Sequence, residues 1–120
     1  MLKDKLYIIK EKQETESDCV WRLTLNASHP VYEAHFAGNP VTPGACIVQI
    51  IKELAEDFLN RTLHINAVKN TKFLNVVHPK TNNEIMVRIN LQTVEKNILS
   101  LSSTIFDKET VFAKCILTVR

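Results

Sequence analysis

The chain reads as an α+β protein in which an antiparallel sheet curls round one long central helix, and three observations carry that reading. A helix is expected from about Pro43 to Asn60, and its first half, Ala45 to Ile51, is apolar on every side save for Gln49. Such a helix has to be buried all round. Two strand-like stretches precede it and four follow, with hairpin-length or turn-rich joins between them, the pattern of antiparallel strands rather than of βαβ units. With 120 residues and 45% hydrophobic content, the chain suits one globular domain over residues 1–120. So short a chain covers such a helix only by wrapping a sheet round it or by borrowing surface from a second subunit.

The first strand is expected over Leu6 to Lys12, where the β-rich run Leu6-Tyr7-Ile8-Ile9 passes into polar residues. Cys19 to Asn26 alternates, with Cys19, Trp21, Leu23 and Leu25 on one side and Val20, Arg22, Thr24 and Asn26 on the other, which marks a half-buried strand. The polar join from Glu14 to Asp18 suits a hairpin, so these two strands form one antiparallel edge unit. Ala27 to Val41 carries His29-Pro30 and Gly38-Asn39-Pro40 with no sustained period, and reads as a loop feeding the helix. Loops of that length in compact domains are often functional. Thr42-Pro43-Gly44 is the helix start: Thr42 can cap, and Pro43 fits the first turn where no N–H is needed. Beyond Ile51 the pattern becomes one-sided, with Lys52, Glu53, Glu56 and Asp57 reading as a solvated helix end. Ala67 to Val77, Glu84 to Glu95, Ile98 to Phe106 and Val111 to Arg120 are the four later strands, mostly in meander.

The stretch His35-Phe36-x-Gly38-x-Pro40-Val41-x-Pro43-Gly44, with a polar residue fourteen places after the histidine, resembles the active-site signature of the hot-dog-fold (3R)-hydroxyacyl-[acyl-carrier-protein] dehydratases. Lys72-Phe73 is similar to that family's basic-Phe run, although Leu74 and Asn75 stand where further basic residues are often found. The resemblance implies the hot-dog fold, a sheet wrapped on a central helix. It implies that His35 acts on the substrate's α-proton, that the backbone N–H of Gly44 binds the thioester carbonyl, and that Gln49 occupies the position of the carboxylate that handles the β-hydroxyl. Phe36 and Ala45, beside these residues, are the further substrate-binding candidates. Gln49 departs from the family, which has glutamate or aspartate there. The first strand begins within a few residues of Met1, so the family's short N-terminal helix is not expected.

Residue chemistry agrees with those roles and also leaves plainer ones open. A histidine titrates near neutrality and suits proton abstraction; a loop histidine satisfied by backbone carbonyls is the bland reading of His35. The N–H of Gly44 sits at the positive end of a helix, where an oxyanion is stabilised, and close packing is the compatible structural reason for a glycine. Gln49, in an apolar run, must find hydrogen bonds or cost about 1–3 kcal/mol, with a ligand, water or a facing subunit as its natural partners. It cannot exchange a proton. Cys46 is read as core packing, and His29, His64 and His78 as turn or surface residues without metal-ligand spacing.

Net charge is +2, from 15 basic and 13 acidic interspersed residues, which argues against nucleic acid. Three cysteines, widely spaced and without a CxxC pattern, argue against a disulfide framework and a zinc site. Charges interrupt the N-terminal apolar residues and no run reaches membrane-spanning length. A cytoplasmic protein is expected, with no nucleic-acid or membrane partner. The reading is a dehydratase that eliminates water from a β-hydroxyacyl thioester, on acyl carrier protein or coenzyme A, to give the trans-2-enoyl thioester. It should be a homo-oligomer, at least a dimer, and need no metal or redox cofactor. The alternatives are an acyl-thioester hydrolase and a catalytically silent acyl-binding or partner subunit. Arg61, Lys69, Lys72 and Lys80 could receive an acidic carrier.

Overall fold

The computed structural model describes residues 1–34, 41–108 and 110–120. Within them, six strands form one antiparallel sheet: β1 (Tyr7–Glu14), β2 (Asp18–Leu25), β3 (Ile65–Phe73), β4 (Glu84–Glu95), β5 (Ile98–Asp107) and β6 (Thr110–Val119). Their spatial order is β1-β2-β4-β5-β6-β3. β1 and β2 are the expected edge hairpin, registered from Tyr7 opposite Leu25 to Glu14 opposite Cys19. β4, β5 and β6 form the meander. β3 stands outside it, at the far edge against β6. The chain therefore leaves β2 and passes to the opposite edge through the long helix α2 (Gly44–Leu59), then returns to lay β4 beside β2.

Alternation along the strands builds the face that receives α2. Cys19, Trp21, Leu23 and Leu25 are buried on β2, as expected, joined by Ile85, Val87 and Ile89 on β4 and Leu101 and Ile105 on β5. Trp21, Val87, Ile105 and Ala113 lie opposite one another across four successive strands. Against this face α2 sets Ile47, Ile50, Ile51, Leu54 and Ala55, all buried in the same core, and Phe58 meets the Trp21 ring edge-on at 6.3 Å.

Three expectations are corrected. Within one chain the helix is not buried all round: Ala45 is exposed, and Cys46, Val48 and Gln49 are half-buried, because one sheet covers one side of a cylinder some 10 Å across. Thr42 is not the cap. Pro43 holds that position without a side-chain capping bond, and the Thr42 hydroxyl is buried against Tyr32 Oη at 3.0 Å instead. The loop before the helix contains a short turn of helix, α1 (Val31–Ala34), whose start is closed by the Val31 N–H donating to His29 Nδ1 at 3.0 Å. At its other end α2 stops at Asn60, which takes the left-handed conformation and returns its N–H to the Glu56 carbonyl. Among the described residues, no helix is long and apolar enough to cross a membrane.

Candidate active site

The start of α2 is held beside the segment that follows β3. The Thr42 N–H donates to the Val77 carbonyl at 2.9 Å, and the Leu74 N–H donates to the Phe112 carbonyl on β6 at 2.8 Å, so the helix start is tied to that segment and the segment to the sheet. Between them lies a cleft of about 330 Å³ lined by Gly44, Ile47, Phe73, Val76 and Val77 among others, with no charged side chain among the described residues. Gly44 is the first residue of the helix, where backbone N–H groups have no intrahelical acceptor. The Cys46 and Ile47 N–H groups already turn back to the Pro43 carbonyl, which leaves the Gly44 N–H as a donor at the positive end of the helix, beside apolar walls. A side chain at Gly44 would meet the Phe73 ring at 3.0 Å. The packing reading of this glycine therefore holds alongside the electrostatic one.

Gln49 finds a partner that the sequence does not indicate. Its Nε2 donates to Glu53 Oε2 at 2.8 Å, one helical turn on. Glu53 is only 4% exposed and also accepts from the Leu2 N–H at 2.8 Å, the Lys3 N–H at 2.9 Å and Tyr7 Oη at 3.0 Å. Burial pushes its carboxyl up, but the four donors outweigh burial and hold it below the ordinary glutamate value. Tyr7, raised by its own burial and then by the Glu53 charge, remains a phenol and a donor. Farther along, Asp57 accepts from Trp21 Nε1 at 3.0 Å and pairs with Lys12 Nζ at 2.9 Å. The expected solvated helix end is thus a polar stripe that staples β1, β2 and the N-terminal residues to α2. Its signal is the i, i+4, i+8 spacing of Gln49, Glu53 and Asp57, which places them on one helix face. Mixed with Lys52 and Glu56, they look like a solvent face.

The candidate residues are only partly brought together. Gly44 lines the cleft; Ala45 follows it on the exposed side of the helix and is not among the lining residues. Five residues on, Gln49 points about 140° round the helix from Gly44 and lies about 7.5 Å along it. Within one chain the two do not face a common space. His35 and Phe36 fall outside the described residues, although the flanking Tyr32 and Thr42 are joined by their hydroxyls. Of the basic residues named for an acidic carrier, Lys69, Lys72 and Lys80 are exposed and Arg61 lies at the other end of α2; none of the four is among the described residues that line the cleft. Cys46 is half-buried with its thiol pushed up by burial, which fits packing rather than a nucleophile.

The fold is the hot-dog fold of dehydratases and thioesterases. Over 93% of its length the chain superposes on one chain of the dehydratase heterocomplex ApeI:P from Xenorhabdus doucetiae, covering 96% of that chain with a TM-score of 0.75 at 17% identity. The thioesterase HI1161 from Haemophilus influenzae matches over 96% of this chain and 78% of its own, with a TM-score of 0.63 at 16% identity. These likenesses concern architecture alone. In sequence, the chain is 29% identical over 93 residues to the 3-hydroxyacyl-[acyl-carrier-protein] dehydratase FabZ of Lactiplantibacillus plantarum, covering 72% of this chain and 62% of the relative. It spans about half to three-fifths of the length of such relatives. The family model of the ApeI-like dehydratases, described as ApeI dehydratase, matches residues 10–114, from β1 through the first half of β6 and across the whole of the cleft. By that match the chain belongs to the ApeI-like dehydratase family.

Proposed function

We propose that the chain is a dehydratase of (3R)-hydroxyacyl thioesters carried on acyl carrier protein or coenzyme A, working in the cytoplasm on an acyl chain of the fatty-acid type. The observation that carries this reading is the cleft at the start of α2, mostly apolar in its described lining, with Gly44 in its wall and no acceptor for the Gly44 N–H among the described residues. An acyl chain suits the Ile47, Phe73, Val76 and Val77 walls, and a thioester oxygen placed on Gly44 gains negative charge as the α-proton leaves. His35 takes that proton. The Cα–H pair of electrons forms the new C=C bond, the Cβ–O bond breaks, and the hydroxyl departs as water with the proton that His35 took. Gln49 orients the hydroxyl or an intervening water and supplies no proton. Phe36 and Ala45 are assigned to substrate contact beside these groups. No metal or redox group is required, because the thioester acidifies the α-proton.

Because Gln49 faces away from the cleft of its own chain, it serves the site of a second subunit. Support for a dimer lies in the exposed apolar side chains of edge strand β3 and the segment after it: Val68, Phe73, Leu74 and Val76 are 45%, 54%, 52% and 52% exposed, more than a free sheet edge ordinarily tolerates. On the helix, Val48 and Gln49 are themselves only half-buried within one chain and leave surface for a second subunit to cover. A test is direct. Purified protein is incubated with 3-hydroxyacyl and trans-2-enoyl thioesters and the products are followed by mass, alongside His35→Ala. A loss or gain of one water in mass that is abolished in the variant supports the proposal. Appearance of free acid instead selects the hydrolase. Binding without turnover selects the acyl-binding subunit, a reading favoured by the inability of Gln49 to exchange a proton.

A further inference from the structure

The Glu53 carboxylate is saturated. Its Oε2 accepts from the Leu2 N–H and from Gln49 Nε2, and its Oε1 accepts from the Lys3 N–H and Tyr7 Oη. Two bonds on each oxygen occupy the lone-pair positions an ionised carboxylate offers. Such a group only accepts. Whatever faces it must be a donor, so the Gln49 amide meets it with its NH₂ end and with no freedom to turn over. An amide held by its nitrogen presents its carbonyl oxygen at the other fork, and a carbonyl oxygen accepts and never donates.

We infer that Glu53 is a positioning residue that locks the Gln49 amide with its oxygen outward, so that Gln49 selects a ligand carrying an O–H donor over one offering only an acceptor in the same place. The inference rests on the dehydratase reading for its substrate, where it means preference for a 3-hydroxyacyl over a 3-oxoacyl thioester. An O–H bonded to the Gln49 oxygen also leaves the lone pairs of that hydroxyl free to receive a proton from elsewhere. A donor at position 49 would occupy one of them. The lock is built by the fold: Glu53 is fixed from the N-terminal residues and β1, 46 to 51 positions away in the chain.

The test compares binding of amide analogues of 3-hydroxybutyryl- and 3-oxobutyryl-pantetheine, which resist turnover, by calorimetry in wild type, Glu53→Gln and Tyr7→Phe. One hydrogen bond is worth roughly a 2- to 12-fold preference, and a preference for the hydroxy analogue in that range is expected of the wild type. Glu53→Gln lifts the rule that only donors may face position 53, lets the Gln49 amide turn, and should bring the preference to within about 2-fold. Tyr7→Phe removes one bond to Glu53 but leaves the contact with Gln49; it should lower the urea midpoint and keep the preference. An equal preference in wild type and Glu53→Gln overturns the inference, as does no preference in a wild type that binds both. A second readout needs no ligand: the Gln49 side-chain amide protons, observed by NMR in glutamine-labelled protein, should be protected from exchange in wild type and lose that protection in Glu53→Gln. If the wild type binds neither analogue, the dehydratase reading is refuted. The lock is then judged on those protons alone: persistence of their protection in Glu53→Gln overturns it.

Discussion

Replacing Glu53 by alanine tests how the N-terminal residues are held to the helix. Hydrogen bonds to a charged group contribute about 1.5–3 kcal/mol each, and four of them would approach the whole stability of a domain, about 5–15 kcal/mol. Simple addition is therefore wrong. Leu2 is half-buried and Lys3 exposed, so their N–H groups regain water once the carboxylate is gone. Tyr7 is 1% exposed, and its hydroxyl is left without an acceptor, at about 1–3 kcal/mol for the stranded group, while the half-buried Gln49 amide regains water only in part. The expected loss is about 3 kcal/mol at pH 7. With a urea slope of about 1.5 kcal/mol per molar, within the range for small proteins, the unfolding midpoint falls by about 2 M, read by Trp21 fluorescence. Acidity supplies the sign. The folded Glu53 value lies below the unfolded one, so its stabilisation is present above the unfolded pKa and is lost as pH falls through the folded pKa. The gap between wild type and variant should close as pH drops below the ordinary glutamate range. A midpoint shift corresponding to less than about 1 kcal/mol at pH 7, or a gap that widens on acidification, would refute the reasoning.

Gly44→Ala is expected to fold normally, since the Phe73 ring it would touch at 3.0 Å is half exposed and can yield, yet to lose at least about 10-fold in thioester turnover as the added methyl displaces the carbonyl from the helix N-terminus. Thermal melting and the mass assay separate the two effects. Gln49→Glu places a second carboxyl against Glu53 where the present contact is 2.8 Å. Two carboxylates so close cannot both ionise, so the pair retains one proton near neutrality, held between positions 49 and 53, which it can give up to a leaving hydroxyl; turnover should rise, with a pH profile that falls off on the alkaline side as the pair loses that proton. Thr24 Oγ1 is buried without a hydrogen-bond partner among the described residues. Thr24→Val keeps the shape and removes that penalty, and should raise stability by about 1 kcal/mol in the same urea titration.

Much of this architecture is short-range, and for that reason it is legible in the amino-acid sequence. The alternation of Cys19, Trp21, Leu23 and Leu25, the turn chemistry at Lys96-Asn97, and the apolar run from Ala45 to Ile51 each involve residues within a few positions of one another. Such local signals place strands, hairpins and the helix close to their observed boundaries; β3 is the exception, because its phase is irregular, and it begins at Ile65 and ends at Phe73 rather than running from Ala67 to Val77. The family resemblance rests on the same kind of local signal, a ten-residue motif leading into a helix. What tertiary structure decides is where long-range partners meet. β3 crosses to the far edge beside β6 because α2 carries the chain over the sheet, and no pattern within β3 states that. Thr42 is lost as a cap because Tyr32, ten residues earlier, claims its hydroxyl. Glu53 and Asp57 look solvated in the sequence because a carboxylate leaves water only where donors converge, and the donors that bury Glu53 and half-bury Asp57 come from Leu2, Lys3, Tyr7, Lys12 and Trp21, far away along the chain. The sequence by itself determined the elements and the family; the meeting of distant donors on one helix face decided which of its charges the protein buries.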